Sequence, residues 1–137
     1  VKNMIFDGNA ISMGNPHFVI FVSPEDDVME FAKEYGPIIE TSAEFPEKTN
    51  VEFVKIKSYR KIELAVWERG CGITLACGTG ACASVVAGIL NGYIENSVEV
   101  QLPGGVVNVL WNGTSEEPVG DVFLSGPAEY VFNAELA

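Results

Sequence analysis

Apolar and polar residues alternate along "VEFVKIKS", "KIELAVWE", "SVEVQL" and "GVVNVLW", and similar β-rich runs occur at "ISMGNPHFVIFV", "GDVFLSG" and "AEYVFNA". A period of two predicts strands with one face turned to a core. Two segments break the period. In "PEDDVMEFAKEYG", Pro24 and a cluster of acids precede Val28, Phe31 and Ala32 at helical spacing, and Gly36 reads as the stop. This is the pattern of an amphipathic surface helix. From Ala81 to Leu90 every face carries small or apolar residues, with Gly92 as a C-terminal stop. A helix apolar all round has to be buried. The expected fold is α+β: a curved, mostly antiparallel sheet or barrel wrapped around a central buried helix, with no helix making parallel crossovers between the late strands. Residues 1–137 read as a single domain with no internal linker, low-complexity tract or short repeat.

Composition narrows the function classes. A chain of 137 residues that is 47% hydrophobic matches one domain with a core of ordinary size. Its net charge of −11 repels phosphate backbones and anionic lipid, which argues against nucleic-acid and membrane-surface partners. The near-apolar run Ala81 to Leu90 is far shorter than a bilayer span. The start, "VKNMIFDGNA", lacks the features of a secretory signal and begins with Val1, so a truncated or processed chain is expected. Three cysteines cannot all pair with one another, which fits a reducing cytoplasm. The sequon Asn112-Gly113-Thr114 then reads as a turn.

The stretch "LACGTGACASVVAGILNG" holds the sharpest candidate chemistry. If the buried helix starts near Thr79, its first backbone N–H groups lack intrahelical partners and point at whatever lies beside Cys77 and Gly78. The helix start favours a thiolate at Cys77, and the glycines let a ligand approach the backbone. The competing reading makes Cys77 a small core filler. That reading is stronger for Cys82, inside the helix, and for Cys71, in a loop between two glycines. "GTGACA" also matches a dinucleotide fingerprint, with Glu99 downstream, but the strands that follow look like hairpins rather than a parallel unit. Cysteine spacing and a single histidine, His17, argue against a metal site. Elsewhere "GNPHF" pairs Asn15 with His17, "KTNVEF" presents Asn50 just ahead of a strand, and "WERG" ends a strand with Glu68 and Arg69. Each has an ordinary structural account as a turn, a satisfied imidazole or a surface ion pair. Together they supply groups suited to a polar, amino-acid-like ligand.

In order and separation, "SMGNPHFVIFV", "FPEKTNVEFV" and "WERGCGITLACGTGACASVVAGI" resemble the second half of the diaminopimelate epimerase family. The resemblance implies two pseudo-symmetric domains, each a strand-wrapped helix, with the active site in the cleft between them and one catalytic cysteine from each. This chain resembles only the C-terminal domain. The first domain's cysteine motif has no counterpart before "ISMGNPH". Carried over by position, Cys77 looks like the second-domain catalytic cysteine, and Gly78 and Thr79 like donors to the reacting carboxylate. By the same resemblance, Asn15, Asn50 and Arg69 hold the distal end of the substrate. Glu68 lies beside the second thiol and contacts substrate, and His17 assists the first. One departure is Gly72-Ile73-Thr74, where the family usually has G-x-G-E-T.

The implied activity is interconversion of LL- and meso-diaminopimelate by two-base proton transfer without a cofactor, in lysine and peptidoglycan precursor biosynthesis. The chemistry agrees, because inversion needs a base on one face of the α-carbon and an acid on the other. Backbone N–H groups near Gly78 and Thr79 would stabilise the charge that develops. Other readings are a phenazine-biosynthesis or proline racemase-like isomerase of the same fold, which Cys77 disfavours for the phenazine type, and a non-catalytic binding half-domain. The expected partners are the small-molecule substrate and the absent first domain. The face near Cys77 and His17 that this domain would cover is expected to be uncovered and partly apolar, which favours self-association, including a homodimer.

Overall fold

The computed structural model describes residues 3–137; Val1, where the sequence suggests a truncated or processed start, lies outside them. The elements run β1 (Asn9–Ser12), β2 (Pro16–Phe21), α1 (Val28–Glu40), β3 (Asn50–Ser58), β4 (Lys61–Glu68), β5 (Gly72–Ile73), α2 (Gly78–Leu90), β6 (Ser97–Leu102), β7 (Gly105–Trp111) and β8 (Val122–Ser125). All the strands join one sheet in the order β1-β2-β3-β4-β6-β7-β8, with β5 paired to β4. The sheet curls around α2, which packs against β1, β2, β3, β4, β7 and β8. The α+β class and the buried central helix are as expected.

The pleat explains how one sheet serves two cores. Along β3, Val51 and Phe53 point to α1 on the outer face, where they pack with Val28, Ala32, Tyr35 and Ile39. Val54, of opposite parity, points inward with Val19, Leu64 and Val66 to Ala81 and Val85 of α2. Covered on both faces, residues 50–54 are all buried. The same parity puts Glu52 on the inner face beneath the start of α2, and a carboxylate there has to find a partner inside the protein.

Four expectations about the elements are corrected. First, the sheet is mostly antiparallel as expected, but β2 pairs with β3 and β4 with β6 in parallel, so α1 and α2 are both crossover helices. The hairpins expected after α2 are present as β6–β7–β8, but a strand–helix–strand unit precedes them. Glu99 of the dinucleotide fingerprint sits in β6 with its carboxylate 3.3 Å from Lys61 Nζ. Second, α1 does not stop at Gly36 but continues through Pro37 to Glu40, and Asp27 caps its start by accepting from the Met29 and Glu30 N–H groups. Gly36 has no Cβ to clash with the following proline ring, and the missing side chain leaves the space that Trp67 fills. Third, "ISMGNPHFVIFV" is two strands, divided by a turn at Gly14 with φ of +93°. Fourth, "AEYVFNA" forms no strand, and Tyr130, Val131 and Phe132 are exposed. Alternation alone does not make a strand without a neighbour to complete its hydrogen bonds.

Candidate active site

Cys77 is the N-cap of α2, in extended backbone conformation, and its Sγ accepts a 3.3 Å hydrogen bond from Gly80 N–H. The next two N–H groups, on Gly78 and Thr79, have no hydrogen-bond partner among the described residues. They leave two donors beside the thiol, a geometry suited to an anion. The thiol itself is buried, with the residue 6% exposed. Burial pushes it up to about 11; Gly80 N–H and Thr79 pull it down, and the carboxylates of Glu68 and Glu52 push it further up. The expected preference for thiolate is thus reversed at rest, because loss of hydration outweighs the half-charge of the helix start.

Gly80 is required by close packing. A Cβ placed there would lie 3.0 Å from Cys77 Sγ and 3.1 Å from Glu52 Oε1, and each of these atoms is held by a hydrogen bond, Sγ from Gly80 N–H and Oε1 with His17 Nδ1, that a retreat would stretch. Alanine in a helix usually gains about 1 kcal/mol over glycine, but overpacking a filled core costs about 1–3 kcal/mol. Gly80→Ala therefore lowers the melting temperature, and an unchanged or raised value would show that the corner yields.

His17 is buried rather than presented on an uncovered face. Its ring and the Glu52 carboxyl are both 0% exposed, with Nδ1 and Oε1 2.5 Å apart. Its Nε2 lies 3.1 Å from Asn15 Oδ1, and Asn15 Nδ2 donates to Thr79 Oγ1 at 3.3 Å. Thr79 Oγ1 is in turn 3.9 Å from Cys77 Sγ. Asn15, His17, Thr79 and Cys77 are therefore one connected set. An open cleft of about 330 Å³ reaches it, lined by Asn15, His17, Glu47 and Thr49 among others.

Asn50 and Arg69 form a second set. Asn50 is buried beside His17 in the parallel register of β2 and β3. Its side chain accepts from Arg69 N–H at 2.8 Å and donates to the Pro16 carbonyl at 2.9 Å, tying the ends of β2 and β4 together. The Arg69 guanidinium is exposed, with a 3.4 Å bond to the Glu47 carbonyl. Glu68 ends β4 opposite Gly72, and its charge reaches both Cys77 and Glu52. Ile73 pairs with Trp67 and packs in the outer core. Cys71, Cys77 and Cys82 are free thiols.

Two contributors went unrecognised in the sequence. Glu40, at the end of α1, accepts from Trp67 Nε1 and from Gly70 N–H and so anchors the loop that carries Arg69. Burial pushes its carboxyl up, but these bonds hold it below the usual range. Glu52 is the other. Its signal was parity, since it lies two residues after Asn50 and must share its face.

Residues 9–131 match the diaminopimelate epimerase family. A diaminopimelate epimerase of Halothermothrix orenii is 52% identical over 136 residues, covering 99% of this chain and 45% of that protein. One of Desulfitobacterium hafniense is 50% identical over 136 residues, with 99% and 46% covered. The chain spans less than half the length of these relatives. The crystal structure of the Bacillus anthracis phenazine biosynthesis protein of the PhzF family shares the fold. It has a TM-score of 0.57 at 17% identity and covers 87% of this chain and 38% of that one. No helix among the described residues is long and apolar enough to cross a membrane.

Proposed function

The chain belongs to the diaminopimelate epimerase family, and from that premise we propose that it is one half of a cytoplasmic enzyme interconverting LL- and meso-2,6-diaminopimelate, in lysine and peptidoglycan precursor biosynthesis. The observation that carries the reading is Cys77 at the cap of α2 with the unpartnered N–H groups of Gly78 and Thr79 beside it. A carboxylate held by those donors brings its α-carbon against the thiol. Charge that builds on the carboxylate as the α-proton leaves is then met by donors already in place.

Cys77 rests as a thiol, so in one direction it delivers the proton while a base on the opposite face removes the other. In the reverse direction its thiolate is the base. No pyridoxal cofactor is then needed. Glu68 lies close enough to raise Cys77 and so favours the proton-loaded state. Arg69 holds the distal carboxylate, its backbone anchored by Asn50 and with Asn15 lining the neighbouring cleft, and selects against substrates that lack that group. The opposite-face base is assigned to a preceding domain that faces the cleft His17 lines from beneath. Leu75, 69% exposed, and Leu124, against Gly78, supply apolar surface for that contact.

The test supplies the chain with LL-diaminopimelate in deuterated water, alone and with the first half of the Halothermothrix orenii relative. Deuterium at the α-carbon and meso product are expected only when the two halves form a complex. A complex that forms but leaves the substrate unlabelled would overturn the reading and leave a binding module. Turnover by the chain alone would overturn the two-base assignment.

A further inference from the structure

We infer that Glu52 is a positioning residue for Cys77, acting from inside the core through His17, Asn15 and Thr79 to turn the Thr79 hydroxyl hydrogen onto the thiol sulfur; the inference rests on the reading of Cys77 as the reacting thiol. Asn15 Oδ1 can only accept, so the His17 Nε2 facing it at 3.1 Å carries a hydrogen. With Nε2 donating, Nδ1 shares a proton with Glu52 Oε1 at 2.5 Å. The Asn15 amide is thereby oriented with Nδ2 toward Thr79 Oγ1, at 3.3 Å. That bond occupies a lone pair of Oγ1 and leaves the single hydroxyl hydrogen for Cys77 Sγ, 3.9 Å away. Each link fixes the polarity of the next.

A second observation marks Glu52 as more than packing. Its Oε2 is buried and has no hydrogen-bond partner among the described residues, an arrangement that costs stability and that an apolar residue would avoid. The groups facing it are His17 from β2, Glu68 through its charge from β4, and Cys77 with Gly80 from α2. Burial pushes Glu52 up, to about 7, against the pull of His17.

The sign of one substitution separates this route from a through-space effect. The negative field of Glu52 raises Cys77, so neutralising it through space would speed alkylation of the thiol. Breaking the chain of bonds would slow it instead. Iodoacetamide alkylation of Cys77, followed by peptide mass spectrometry at pH 9, is expected to slow about three- to tenfold in Glu52→Gln and in Asn15→Leu, the loss of one directed hydrogen bond. In a Thr79→Val background Asn15→Leu should have no further effect, and Glu52→Gln should show only the through-space change, a faster alkylation. Because the chain has a single histidine, imidazole ¹H–¹⁵N spectra report His17 without ambiguity. The Nδ1 proton signal should move in Glu52→Gln and stay in Asn15→Leu. Faster or unchanged alkylation in Glu52→Gln alone, or further slowing by either substitution in the Thr79→Val background, would overturn the inference. Should Glu52→Gln not fold, Glu52→Asp, which keeps the charge but draws the carboxyl back from His17 Nδ1, carries the same expectation of slowed alkylation, and an unchanged rate in it is against the inference. No substrate enters these measurements, so their outcome is independent of the epimerase assay.

Discussion

Cys77→Ser in the complete enzyme is expected to lower interconversion of LL- and meso-diaminopimelate by about a thousandfold or more, the scale of losing a proton-transfer group. Serine is the informative replacement. Cys77 caps α2 through its bond with Gly80 N–H, and a hydroxyl preserves that cap, whereas alanine would also cost about 1 kcal/mol of helix stability. A fall in rate with an unchanged melting temperature therefore reports chemistry. Cys82→Ala is the matched control. Cys82 lies within α2 and belongs to the inner core, so its loss should cost some stability and leave most of the turnover. Equal loss of rate from both variants would make Cys77 a core residue.

The second large effect is on thiol reactivity. With Cys77 pushed up from 9.0 to about 11, its thiolate fraction at neutral pH is about a hundredfold lower in the folded chain than in the unfolded one. Alkylation of Cys77 should accordingly be about a hundredfold faster in urea than in native buffer at pH 7. In native buffer it should rise about tenfold per pH unit until near 11. The sign for stability follows. The folded chain holds this proton more tightly, so the contribution is whole below about 9 and is lost as pH rises from there toward 11. A native alkylation rate that has already levelled off below pH 7 would show a thiolate at rest and would exchange the roles assigned to Cys77 and its partner base.

These expectations depend on features of unequal legibility. The strands of β3, β4, β6 and β7 could be read directly, because alternation records which side faces a core and the record is local. The buried helix could also be read, since apolar residues on every face leave no solvent side. Where a residue's role depended on a distant neighbour, the reading failed. Gly36 looked like a helix stop because nothing nearby reveals Trp67 filling the space beside it. "AEYVFNA" has the pattern of a strand, but pattern cannot supply a partner.

In the site, residue types and spacing alone determined that Cys77 would sit at a helix start, with Gly78 and Thr79 donors beside it, and that Asn15, His17, Asn50, Glu68 and Arg69 would lie at strand ends. Those are properties of a few consecutive residues. Tertiary structure alone decided the electrostatic state. Burial, with a smaller push from Glu68 and Glu52, makes Cys77 a resting thiol where the helix start by itself favours the opposite. Parallel pairing of β2 with β3 puts His17 beside Glu52, which no local signal could do. The physical reason is range. Periodicity and capping act over one or two turns of chain, whereas desolvation and charge depend on which distant segments the fold brings within a few ångströms.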